Sequence, residues 1–175
     1  MSPADTIPNT LREKYPQEVQ AIFTKYPVKR SAVMPLLYLA QRAEGYITKQ
    51  GMAQVAAMLD LDVTEVASIV GFYTLYHDEK AGKYRMQVCN DLPCALRGAD
   101  KFLEALCQNL GVRVGETTAD GLVTVETVMC LAACDKAPMF QLQDGDKVTY
   151  HENMSVDRTM ELVEALKAVP AKEVK

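Results

Sequence analysis

The strongest constraint on this chain is the placement of two cysteine pairs, Cys89-Asn-Asp-Leu-Pro-Cys94 and Cys130-Leu-Ala-Ala-Cys134. Each pair follows a short strand-like run, Tyr84-Arg-Met-Gln-Val in one case and Val123-Thr-Val-Glu-Thr-Val in the other. Runs of this kind, alternating and rich in β-branched residues, read as strands. Two strands that end side by side bring four thiolates to one edge of a sheet. A fold for this chain must deliver both pairs to that edge.

The pattern before the cysteines is helical. Residues 10–25 carry Val19, Ile22 and Phe23 on one face, with Pro16 acceptable only in a first turn or at a break. Ser31 is a candidate cap for a second helix that presents Val33, Leu36, Leu37 and Ala40, and Gly45 is a candidate stop. A third helix from Thr48 presents Met52, Val55 and Leu59, and a fourth from Thr64 presents Val66, Ile69, Val70 and Tyr73. No strand pattern precedes residue 84. Beyond it come a strand over 84–88 and a helix from about Ala95 to Leu110, stopped by Gly111. A second strand over 122–128 follows, then a hairpin centred on Asp144-Gly145, then a last helix capped by Ser155. The first two strands are expected to be parallel, joined by a right-handed crossover, and the last two antiparallel. The expected fold class is α+β or α/β, with four parts: an N-terminal helical bundle over 1–77, a polar linker over 78–83, a thioredoxin-like domain with a four-stranded mixed sheet over 84–168, and a tail over 169–175.

Composition narrows the function. With 49% apolar residues the 175-residue chain can pack a core, and its net charge of −4 argues against a general nucleic-acid or membrane-surface binder. No apolar run reaches the roughly eighteen residues of a membrane span. The start, Met1-Ser-Pro-Ala-Asp-Thr, resembles neither a signal peptide nor a transit sequence. A soluble, cytosolic protein is expected, and in that compartment grouped thiols serve as metal ligands or reactive groups more often than as disulfides. Five cysteines fit four ligands and one bystander.

The spacing favours an iron–sulfur centre. A 2Fe–2S cluster needs four thiolates, two on each iron. Cys89 lies at a strand end, and Cys94 at a helix start, where N–H groups favour a thiolate. The small residues between Cys130 and Cys134 let backbone amides approach the cluster's sulfides, one of the levers on its potential. Structural zinc more often uses tighter knuckles, a thioredoxin-type redox pair would read Cys-x-x-Cys, and disulfides disagree with the compartment. Zinc and disulfide readings stay open at this point. Cys107 falls on the apolar edge of a helix and reads as a small hydrophobe. His77 and His151 read as surface residues without a ligand partner. The Tyr73/Tyr76 face reads as core in preference to a partner surface. The chain has no Gly-rich phosphate loop, no Ser/His/Asp set and no informative carboxylate pair. It is therefore expected to bind neither NADH nor flavin itself.

Beyond the cysteines the chain resembles the 2Fe–2S, thioredoxin-like ferredoxin subunit of respiratory complex I, the 24-kDa subunit family. The resemblance lies in Val33-Met-Pro-Leu-Leu, Leu39-Ala-Gln-Arg-Ala-Glu-Gly-Tyr-Ile47, Val70-Gly-Phe-Tyr-Thr-Leu-Tyr76 and Gly82-Lys-Tyr-Arg-Met-Gln-Val-Cys89, and continues in Leu92-Pro-Cys94, Gly115-Glu-Thr-Thr-Ala-Asp-Gly121 and Cys130-Leu-Ala-Ala-Cys134 with Ala137-Pro138. It implies that Cys89, Cys94, Cys130 and Cys134 bind one 2Fe–2S cluster. It also implies docking to a larger subunit that binds FMN and NADH, association with further iron–sulfur subunits, and a place peripheral to the inner membrane. Related subunits serve NAD-linked hydrogenases and NAD-dependent formate dehydrogenases. The chain departs from the family where it has Ala132 in place of glycine, and Asn90-Asp91 in place of small hydroxyl residues. Asp91 adds a negative charge that disfavours reduction.

A different class, a redox-sensing helix-turn-helix over Met52–Tyr73, is opposed by charge. From Gln50 to Glu79 there is no Lys or Arg, while Asp60, Asp62, Glu65, Asp78 and Glu79 are acidic, and such a segment repels phosphates.

Overall fold

The computed structural model describes residues 10–145 and 147–169. The expectations for residues 1–9 and for most of the tail fall outside them. The chain divides between Lys80 and Ala81 into two compact units.

The first unit is helical: α1 (Thr10–Lys14), α2 (Pro16–Lys25), α3 (Val33–Glu44), α4 (Lys49–Leu59) and α5 (Val63–Phe72). The break expected at Pro16 is present, because a proline there cannot donate back into α1 but suits the first turn of α2. Thr48 caps α4, its hydroxyl accepting from Gly51 N at 3.0 Å. Two starts differ from expectation. Ser31 lies inside a 3-10 turn over Lys29–Ala32, and α3 begins at Val33 with no side-chain cap. α5 begins at Val63 in place of Thr64, and its cap is Asp62. Its carboxylate accepts from Thr64 N at 2.7 Å, and Glu65 reaches back to Asp62 N, forming a capping box. Gly45 ends α3 in the left-handed region, at φ 79°. Leu36, Leu37, Ile47, Val55, Leu59 and Val66 fill the core of this unit.

The second unit holds β1 (Tyr84–Cys89), α6 (Leu92–Leu96), α7 (Ala99–Leu110), β2 (Val123–Val128), β3 (Phe140–Asp144), β4 (Lys147–His151) and α8 (Val156–Lys167). The sheet order is β2-β1-β3-β4. β1 and β2 are parallel, in register from Tyr84↔Val123 to Cys89↔Val128, while β1/β3 and β3/β4 are antiparallel. This is the expected mixed, thioredoxin-like sheet. The single helix expected over Ala95–Leu110 is two helices. Gly98 takes φ 95°, a left-handed value that breaks the helix and lets α7 start afresh. Gly111 stops α7 and Ser155 caps α8, as expected.

Alternation divides the sheet. Tyr84, Met86, Val88, Val123, Val125, Phe140 and Leu142 pack with Phe102, Leu106 and Val163 of the helices. The residues between them are polar yet largely buried. Gln141 Nε2 donates to Gln87 Oε1 at 2.5 Å, Gln87 Nε2 donates to Glu126 Oε2 at 3.0 Å, and Arg85 pairs with Glu126. Each buried polar group in this ladder has a partner, as burial demands. The histidines also differ from expectation. His77 is buried: its N–H donates to Gln41 Oε1 at 2.8 Å and its carbonyl accepts from Ile47 N at 2.6 Å. His151 stacks on Phe140 at 5.0 Å, and burial lowers its pKa.

Candidate metal centre

Both cysteine pairs lie at the C-terminal edge of the parallel pair of strands. Cys89 is the last residue of β1 and is opposite Val128, the last of β2. Asn90 N then donates to Val128 O, which holds the two departing loops together. Asp91 caps α6, its carboxylate accepting from Leu92 N at 2.9 Å, and Pro93 sits in the first turn. These two residues place Cys94 inside that turn. The cap is legible in Asp91-Leu-Pro, since proline just past a capping residue marks a helix start.

Cys89 and Cys94 are buried, in a small cluster with Ala99, Val128, Leu131, Ala137 and Met139, against which Ala133 and Cys134 pack. Burial pushes the Cys94 thiol up to about 12, with Cys89 and Cys134 adding to the effect. Those two sulfurs are thus its neighbours, and Cys94 would part with its proton only for a strong compensating charge. Three of the four expected residues are gathered here. The fourth, Cys130, is exposed and is not a member of the buried cluster.

The loop from Cys130 to Cys134 is held in an unusual shape. Cys130 and Ala132 both take positive φ, 44° and 56°. That conformation is costly for L-residues, while glycine adopts it freely. A 3-10 turn over Cys134–Lys136 follows, and Arg97 Nη2 donates to Asp135 O at 3.3 Å, tying the loop to the end of α6. Three large apolar side chains beside the cysteines face solvent: Leu92 and, at 81% exposure, Leu96 on α6, and Met129, at 79%, just before Cys130.

Among the described residues no group of three or more His, Cys, Asp or Glu side chains converges to hold one metal ion. A binuclear cluster needs two pairs of thiolates, each pair on its own iron. The donor set of four soft sulfurs in two pairs fits that demand. Cys107 is buried on α7 in the apolar core, where burial raises its pKa, in keeping with a bystander.

The fold and this cysteine edge define a class, ferredoxin-type domains on a thioredoxin-like sheet. Residues 19–167 match the family model described as thioredoxin-like 2Fe-2S ferredoxin, and the chain belongs to that family. It is similar to an NADH-quinone oxidoreductase subunit of Rhizobium meliloti, at 38% identity over 159 residues, covering 91% of this chain and 90% of that one. NADH-quinone oxidoreductase subunit 2 of Thermus thermophilus is 39% identical over 128 residues, 72% of this chain and 71% of that one. A crystal structure of an NAD+-reducing NiFe-hydrogenase in the H2-reduced state shares the fold. Its TM-score is 0.62 at 20% identity, over 77% of this chain and 22% of that one. No helix among the described residues is long and apolar enough to cross a membrane.

Proposed function

We propose that the chain holds one 2Fe–2S cluster on Cys89, Cys94, Cys130 and Cys134. We propose further that it is the electron-transfer subunit that exchanges single electrons with the FMN of a partner NADH-oxidising subunit in NADH:quinone oxidoreductase. The observation that carries this reading is the gathering of Cys89, Cys94 and Cys134 at one sheet edge, with Cys130 on the left-handed turn that leads to Cys134. When bound, the cluster supplies a one-electron couple. The chain's residues do the rest. Four thiolates hold the group, and the buried setting of Cys89 and Cys94 limits water on that side. The carboxylate of Asp91, at the cap of α6, opposes added negative charge and lowers the potential. Exposed Leu92, Leu96 and Met129 give a partner an apolar rim to cover, which would exclude water from the electron path.

The chain is a non-catalytic accessory subunit in this reading. With no phosphate-binding loop of its own, hydride chemistry at NADH and FMN falls to the partner, and further iron–sulfur subunits complete the path. A second reading is the equivalent subunit of an NAD+-reducing hydrogenase or NAD-dependent formate dehydrogenase. The fold shared with the hydrogenase structure supports keeping it, and the relatives at 38% and 39% identity support the first reading. Assembly at the membrane would be peripheral.

The direct test is a cysteine series. Serine at Cys89, Cys94, Cys130 or Cys134 should each cut bound iron and visible absorption, while Cys107→Ser should retain both. Full iron in any of the first four, or loss of iron with Cys107→Ser, would refute the ligand assignment.

A further inference from the structure

Arg97 is bonded at both ends to the cysteine edge. It closes α6, where its backbone N–H donates to the Cys94 carbonyl at 3.1 Å. Its side chain then crosses to the second loop. There Nη2 donates at 3.3 Å to the carbonyl of Asp135, the residue that follows Cys134. The two cysteine loops are joined by backbone at their start, where Asn90 N donates to Val128 O, and by the Arg97 guanidinium at their far end.

The chain beyond Cys134 is held from another side. Asn153 N donates to the Lys136 carbonyl at 2.7 Å, and Met154 N to the Pro138 carbonyl at 2.8 Å. Arg158 Nη1 of α8 donates in turn to Asn153 O at 2.9 Å. These bonds anchor the Cys134 turn to the segment between β4 and α8, and they do not reach α6. Arg97 supplies the side-chain bond between α6, which carries Cys94, and the turn that carries Cys134.

Charge makes the identity of this residue matter. Asp91 caps α6 and Asp135 follows Cys134, so a carboxylate stands near each pair. Lys136 pairs with Asp135 at 3.5 Å. Arginine keeps its charge throughout the accessible pH range, and its planar fork donates in fixed directions. A hydrogen bond from it is charge-assisted and stronger than one between neutral groups. A cluster held by four thiolates is anionic, and its net charge is one of the quantities that set its potential. A cation bonded beside both cysteine pairs offsets the negative charge added on reduction.

We infer that Arg97 is a positioning residue for the cluster: it holds the Cys134 turn against Cys94, and its fixed charge favours the reduced state. It opposes Asp91, whose carboxylate disfavours reduction. The inference rests on the proposed function in one respect, that the four cysteines hold a 2Fe–2S cluster.

The test compares the full, iron-loaded chain with Arg97→Met and Arg97→Lys. Methionine keeps an apolar stem without charge or donor, and lysine restores both. Redox mediators poise each sample at the potential where half of the parent's cluster is reduced, and electron paramagnetic resonance reads the reduced fraction. In Arg97→Met the ratio of reduced to oxidised cluster should fall roughly threefold, the order expected of one surface charge at this range. Arg97→Lys should recover most of that loss. Arg97 is exposed, so the gap between parent and Arg97→Met should narrow as salt rises, which a purely structural contact would not produce. Iron release to a chelator reads the positioning, and it should be faster in Arg97→Met than in the parent or Arg97→Lys. A parent-like ratio and release rate in Arg97→Met would overturn the inference and leave the proposed function standing. An equal fall in the ratio for methionine and lysine would overturn it too, because charge would then not be the cause. If Arg97→Met binds no iron, Arg97→Lys carries the test: iron with a parent-like ratio supports the inference, and no iron in either variant overturns it. If the parent itself binds no 2Fe–2S cluster, the inference and the proposed function fall together.

Discussion

Ala132 is the residue at which the cysteine loop stores strain that a single substitution can release. Its φ of 56° lies in the left-handed region. For an L-residue that conformation costs about 1–2 kcal/mol. Replacing it with glycine removes the cost, but glycine also loses more freedom on folding, worth about 0.4–1 kcal/mol in the other direction. The Ala132 side chain is exposed, so deleting its methyl group sacrifices little packing. The balance is a gain of roughly 0.5–1 kcal/mol for Ala132→Gly, or about 2–4 °C per kcal/mol in thermal midpoint for a chain of this size. Ala133 is the control. Its φ is −131°, so glycine there relieves nothing, and the half-buried methyl group packs against the cysteine cluster. Ala133→Gly should cost roughly 0.5–1 kcal/mol. The assay is urea unfolding of the reduced, iron-free chain, comparing midpoints at constant slope. The two variants differ from the parent by the same atoms at neighbouring positions, so composition cancels. If Ala132→Gly loses as much stability as Ala133→Gly, the strain account of the loop is wrong.

Other consequences can be measured on the same footing. A Cβ on Gly82 would meet Gly121 O and Thr117 Cγ2 at 2.9 Å and Leu122 C at 3.0 Å, two of them backbone atoms. Gly82→Ala should therefore cost about 1–3 kcal/mol by overpacking, and an unchanged urea midpoint would contradict that contact. His151 has its pKa lowered by burial, so between its folded value and the unfolded value of about 6.5 only the unfolded chain takes up the proton. Its contribution is full above the unfolded value and is lost as pH falls through that window. His151→Phe should flatten the stability loss that sets in as pH falls below the unfolded value of about 6.5, and an equal slope in the variant would argue against the burial effect. Removing the α5 cap with Asp62→Ala should cost about 1 kcal/mol, read by denaturant unfolding, because the Thr64 N–H loses its acceptor.

What the sequence makes legible, and what it hides, follows from the range of each interaction. The strands, their parallel pairing and the Thr48 and Ser155 caps depend on neighbouring residues and on period, so they can be read directly. Gly98 is hidden inside an apparently continuous helical pattern, because its left-handed φ depends on how α6 is held at the cysteine edge. Asp62 and Thr64 are both able to cap a helix, and only the capping box with Glu65 separates them. The burial of His77 needs Gln41, thirty-six residues away, to supply an acceptor. At the cysteine edge the spacing is visible, while the division between buried Cys89 and Cys94 and exposed Cys130 is not. The spacing of Tyr73 and Tyr76 suggests a core face, and only Tyr76 is core. Phe72 and Tyr73 turn outward because α5 ends at Phe72 and the backbone becomes extended at Tyr73, with φ −95° and ψ 120°.

The central claim is that four cysteines at one sheet edge hold a binuclear iron–sulfur cluster. Electron paramagnetic resonance of the anaerobically reduced chain, with iron and acid-labile sulfide measured on the same sample, tests it most directly. The account predicts iron and sulfide in equal amounts and a spin-half signal that appears on reduction. A colourless chain with one zinc, no sulfide and no signal would contradict it.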